Sequence, residues 1–254
     1  MTKSSNPKLP FNGEFFFSKS KRYNETVFFV HFYDGSKRQL LRHIKLVNEL
    51  GFDAFAFNLK GTHAELKKFE LPVSPQGKFG TKHIYADQIE RMLNEVPGSK
   101  IVFAFSNPSA AAIEAMARRH CSDTVALICD SGPTARFMPS AYQLFDEQYN
   151  IKSRLVRLAL TPILSLGWSP FLHKDLKNDL NTFPKGFKIL SIRGWKDKLI
   201  PPTHIDEVFE PHTQLNWTQL SLPEAGHLRG LADFKADYVP AVSKFLESVG
   251  TKTK

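Results

Sequence analysis

The stretch over residues 100–119, KIVFAFSNPSAAAIEAMARR, constrains the fold more than any other part of the chain. Residues 101–105 (IVFAF) form an unbroken apolar run, the pattern of a strand buried on both faces. Residues 110–117 are alanine-rich and predict a helix, with Arg118 and Arg119 placed where cations complement the negative end of its dipole. Only Ser106, Asn107, Pro108 and Ser109 separate the two. So short a passage from strand to helix puts Ser106 at the corner, its hydroxyl at the C-terminal edge of a sheet beside free helix N–H groups. Such a corner suits a nucleophile whose transition state carries negative charge.

The rest of the chain supplies an α/β rhythm. Strands are predicted over 14–17, 27–31 (VFFVH), 53–59 (DAFAFNL), 124–130 (TVALICD), 187–193 (FKILSIR) and 216–222. Helices are predicted over 37–50, 83–96, 203–209 and 233–249, and the interval 60–82 reads as irregular. Leu40, Leu41, Ile44, Val47 and Leu50 share one face of the first helix, which Gly51 ends. Alternating strands and helices argue for a parallel sheet covered on both faces. More than fifty residues separate the strands at 124–130 and 187–193, too many for a plain loop. Helical signals at 141–148 and 151–166, the second broken by Pro162, mark this interval as an inserted helical cap at about 134–184.

With 254 residues and 42% hydrophobic content, the chain can bury a full core, and one domain over 1–254 is expected. The net charge of +9 is spread along the sequence without a block of five basic residues or a nucleic-acid-binding motif, so no nucleic-acid partner is expected. Cys121 and Cys129 lack metal-ligand spacing and are expected as buried free thiols; neither metal nor cofactor is called for. Neither G-x-G-x-x-G nor a P-loop is present, which argues against dehydrogenase and phosphotransferase chemistry. The N-terminal residues MTKSSNPKLPFNG lack an apolar signal core and no apolar run approaches a membrane span, so a soluble, cytoplasmic protein is expected.

The ordered series VHFYDG, AFSNPS, GWKDKLIPP and EAGH, each following a strand, resembles the α/β-hydrolase superfamily over roughly residues 14–249. Single-domain serine hydrolases with a small helical cap, of esterase and lysophospholipase type, are the nearest general kind. The resemblance implies a mostly parallel sheet with helices on both faces. It also implies a triad in which Ser106 is the nucleophile, His227 its general base and Asp197 the orienting acid, acting on a small acyl ester or thioester. Ser109 is the alternative nucleophile and Asp130 the alternative acid. The backbone N–H groups of Tyr33 and Asn107 are implied as the oxyanion hole, with Phe32 the alternative to Tyr33.

Two departures accompany the resemblance. The family elbow reads Gly-x-Ser-x-Gly, whereas here it is Ala104-Phe105-Ser106-Asn107-Pro108, and Pro108 disfavours a helical conformation at Asn107. The family loop His-Gly-x-Gly reads His31-Phe32-Tyr33-Asp34-Gly35. These departures make a non-catalytic binding protein of the same fold the alternative function. The cap helix at 151–168 has an apolar face with Lys152, Arg154 and Arg157 near its start. Three roles fit it: an acyl-chain pocket, weak contact with an anionic membrane surface, or ordinary packing over the mouth of the site.

Overall fold

The computed structural model describes residues 9–61 and 71–253; the part of the irregular interval at 62–70 and the polar start at 1–8 lie outside the described residues. A seven-stranded sheet runs in the order β1-β3-β2-β4-β5-β6-β7. Its strands are β1 (Glu14–Phe16), β2 (Thr26–Val30), β3 (Asp53–Ala56), β4 (Lys100–Phe105), β5 (Thr124–Asp130), β6 (Lys188–Gly194) and β7 (Asn216–Leu222). Every pairing is parallel except that of β1 with β3, so β2 to β7 end at the same edge. Helices α1 (Leu41–Glu49), α2 (Thr81–Glu95), α3 (Pro108–Arg118), α4 (Phe137–Glu147), α5 (Arg154–Trp168), α6 (Leu172–Asn181), α7 (Pro202–Phe209), α8 (Gly230–Asp233) and α9 (Lys235–Val249) complete the chain.

Alternation along β4 explains the two-faced core. Ile101, Phe103 and Phe105 join α1 and α9 on one face, while Val102 and Ala104 join α2, α3 and α6 on the other. The alanines of α3 are fully buried because the helix is wedged between α2 and α6 against the sheet, where larger side chains would hold the backbones apart.

Three helices, α4 to α6, fill the interval between β5 and β6. The sequence signals did not resolve α6, whose Leu172, Leu176 and Leu180 pack into the main core beside α3. Nor does Pro162 break α5. The carbonyl of Leu158, which loses its helical donor, lies on an exposed part of the helix that is open to solvent. One expectation is also amended: Arg154–Asn181 is long and apolar enough to cross a membrane by length and composition, although the leucines of α6 belong to the protein core.

Candidate active site

The end of β4 is built as a tight corner. Ser106 sits at φ 55°, in the left-handed region that costs a non-glycine residue strain. Its N–H donates to the carbonyl of Asp130 at 2.8 Å and its own carbonyl accepts from Ser109 at 3.0 Å, which together hold that conformation. The corner needs room from its neighbour. A Cβ on Gly132 would stand 2.4 Å from the Ser106 carbonyl oxygen, so glycine after β5 permits the close approach.

The departure from the sequence expectation lies at Asn107 and not at Pro108. Pro108 occupies the first turn of α3, where its missing N–H removes no helical bond. Asn107 nevertheless adopts helical angles, φ −59° and ψ −31°, despite the proline that follows. Its N–H precedes the first helical hydrogen bond of α3 and is available to a ligand.

Two further loops converge on Ser106. The loop after β7 brings His227 Nε2 to 3.0 Å from Ser106 Oγ. The loop after β6 brings Asp197 Oδ2 to 2.7 Å from His227 Nδ1. The second oxygen of Asp197 accepts from the N–H groups of Leu199 and Ile200, both at 2.8 Å, so the buried carboxylate is clamped in orientation. With the His227 Nδ1–H donated to Asp197, Nε2 is left to accept from the serine hydroxyl.

The loop after β2 closes another side. His31 is buried, and burial lowers its pKa, so it is held neutral. Its Nε2 accepts from the Leu59 N–H at 2.8 Å, and its Nδ1–H donates to the Phe32 carbonyl at 2.7 Å. His31 thereby ties the Phe32–Tyr33 segment to the chain beyond β3. Tyr33 and Asn107 line one cavity of about 160 Å³ together with Ser106 and His227. Phe137, Ser140, Ala141 and Leu144 of α4 supply the facing wall, which the sequence reading did not identify.

The alternatives fall elsewhere. Ser109 is fully buried in α3, outside the cavity lining, with its hydroxyl against the Cys129 thiol. Cys121 and Cys129 are both free and buried. Asp130 does not hydrogen-bond His227. It accepts from Tyr238 Oη–H at 2.7 Å and Ser131 Oγ–H at 2.9 Å, and burial pushes its pKa up to about 6. Ser131 Oγ also accepts from the Leu228 N–H at 3.0 Å, so this buried group anchors the loop next to His227. Sequence reasoning missed that tie because it passes through a backbone N–H. Among the described residues, no cluster of His, Cys, Asp and Glu is arranged to hold a metal ion.

No family profile matches the sequence, and no curated protein matches it. Solved structures do. An esterase of Pyrococcus furiosus is similar at 17% identity and TM-score 0.63, with 94% of this chain and 86% of that one covered. A monoacylglycerol lipase of Paleococcus ferrophilus is similar at 16% identity and TM-score 0.60, over 93% of this chain and 98% of that one. A meta-cleavage product hydrolase of Pseudomonas fluorescens is similar at 11% identity and TM-score 0.61, over 93% and 94%. At these identities the likeness establishes the architecture: the chain has the α/β-hydrolase fold.

Proposed function

We propose that this α/β-hydrolase-fold protein is a serine hydrolase that cleaves small carboxylic esters or thioesters through an acyl-enzyme. The observation that carries the reading is the chain of contacts from Ser106 Oγ to His227 Nε2 at 3.0 Å and from His227 Nδ1 to Asp197 Oδ2 at 2.7 Å. A serine hydroxyl becomes an effective nucleophile when a base takes its proton. As Ser106 Oγ bonds to the substrate carbonyl carbon, its proton passes to His227 Nε2 and the carbonyl π pair moves onto oxygen. The resulting oxyanion faces the backbone N–H groups of Asn107 and Tyr33. Collapse breaks the bond to the leaving oxygen or sulfur, which takes the proton from His227. Water then repeats the sequence on the acyl-enzyme and restores Ser106.

The cavity supports a substrate class. Its volume of about 160 Å³ is well below that of sites for drug-sized ligands, and Phe32, Phe137, Leu144 and Leu199 make its walls mainly apolar. A short acyl group fits such a space. The test is turnover of p-nitrophenyl acetate, butyrate and decanoate. We expect kcat/KM to favour the two short esters, and both Ser106→Ala and His227→Ala to lose at least about 10⁴-fold in kcat. Wild-type turnover in either variant would refute the assignment.

A further inference from the structure

Helix α5 exposes an apolar stripe, while its inward side carries buried polar residues together with Leu164 and Trp168. Leu155, Leu158, Ala159, Pro162, Ile163 and Leu166 recur at i, i+3, i+4, i+7, i+8 and i+11, which makes one stripe, and all six are exposed. The opposite side buries Arg157 and Thr161 beside Trp168. Arg157 is held by Asp146 at 2.8 Å and lies 4.3 Å from the Tyr142 ring centroid. A helix that only covers a water-soluble core turns such a stripe inward. The stripe continues across a groove of about 720 Å³ between α4, α5 and the start of α6, where Phe171 is 70% and Met138 52% exposed.

Cations border this apolar surface at both ends. Lys152 and Arg154 stand just before and at the start of α5, and Lys174 of α6 lines the groove and is exposed. Arg154 and Lys174 form no ion pair among the described residues. Asp146 is shared by Lys152 and Arg157, and Asp175 and Asp179 turn toward Lys82, which also holds Glu114. At the start of α5 Lys152, Arg154 and Arg157 outnumber Asp146, and at the other end the exposed Lys174 lines the groove, so cations adjoin an apolar surface.

We propose that this face of α5, with Phe171 and Met138, docks on an anionic lipid surface. Apolar side chains enter the boundary between headgroups and acyl chains, and the bordering cations meet the anionic headgroups. A second copy of the chain fits less well, because two-fold pairing through the stripe brings like charges toward one another. Phe137 lines both the groove and the cavity around Ser106, so the docked face adjoins the mouth of the proposed active site. The docking itself does not depend on catalysis.

The test is co-sedimentation of the full chain with vesicles of phosphatidylcholine alone and of phosphatidylcholine mixed with phosphatidylglycerol, with sedimentation velocity of the free protein alongside. The wild type is expected to bind the mixed vesicles and to be released by salt. Leu158→Glu with Ile163→Glu, both on the exposed face, should keep the circular dichroism spectrum and weaken binding at least about tenfold. Replacing Arg154 or Lys174 with glutamine should weaken it about fivefold for each cation. Absence of wild-type binding, equal binding to neutral vesicles, or a dimer that the Leu158→Glu, Ile163→Glu pair dissociates would overturn the proposal.

Discussion

Gly194 and Ala225 touch so closely that a Cβ on Gly194 would stand 2.2 Å from the Ala225 carbonyl oxygen. The same carbonyl accepts from the Lys196 N–H at 2.9 Å. This contact pins the loop that carries Asp197 to the loop that carries His227. Gly194→Ala must push the two apart, because neither backbone can yield like a flexible side chain. We expect the variant to fold and to lose at least about tenfold in acylation rate, since displacement of a catalytic base by a fraction of an ångström is costly. Stopped-flow acylation beside circular dichroism checks this. An unchanged rate would show that the spacing of the loops does not matter.

Two buried carboxylates lie near His227, and only Asp197 touches it. Asp197→Asn is expected to lower kcat on the order of 10⁴-fold, because an amide does not favour the required imidazole tautomer or stabilise the imidazolium. Asp130→Asn retains Asp197 and should lose less than about tenfold in kcat. Steady-state kinetics on the two purified variants distinguishes them, and the reverse ranking would move the orienting acid to Asp130.

A buried ionic cluster ties α2 to α3. Glu114, 1% exposed, contacts Lys82 at 2.9 Å, His83 at 2.7 Å and Arg118 at 2.6 Å. These partners hold its carboxyl well below the usual range against the opposing effect of burial. Glu114→Gln leaves Lys82, itself fully buried, without its nearest counter-charge, and should cost about 3–5 kcal/mol in urea unfolding. Loss of less than about 1 kcal/mol would mean that Asp175 and Asp179 compensate.

Acid should act through His43. Its ring is packed against Phe103, Phe105 and Tyr238, its nitrogens lack hydrogen-bond partners, and burial lowers its pKa to about 3. The unfolded chain therefore binds this proton from about pH 6.5 downward while the folded chain does not, so the contribution is lost as pH falls through that window. Asp130, pushed up to about 6, has the opposite sign over about pH 4 to 6. Because His43 Nε2 lies 3.9 Å from Asp130 Oδ2, the histidine is isolated by comparing His43→Leu with its parent in an Asp130→Asn background. At pH 5 the variant should gain about 2 kcal/mol relative to its difference at pH 8. A pH-independent difference would show that His43 titrates normally.

The sheet was legible because buried parallel strands are nearly continuous apolar runs, as in β5, which has the predicted bounds 124–130. The edge strand β7, largely polar and mostly exposed, also has its predicted bounds, 216–222. The loops bearing Ser106, Asp197 and His227 were legible as short polar segments after those runs. Helix α6 was obscured by its charges, although Leu172, Leu176 and Leu180 keep one buried face. The angles at Asn107 could not be read locally, since the corner is stabilised by Asp130 and given room by Gly132, both beyond α3 in the sequence. The outward apolar side of α5 was equally hidden, because periodicity identifies a stripe without saying which way it faces.

The central claim is that Ser106 is activated by His227. Intact-mass measurement of fluorophosphonate labelling tests it most directly, comparing wild type with Ser106→Ala, Ser109→Ala and His227→Ala. The account predicts one adduct on wild type and Ser109→Ala and none on Ser106→Ala or His227→Ala. A folded wild type that takes no label, or an adduct that survives in Ser106→Ala, would contradict it.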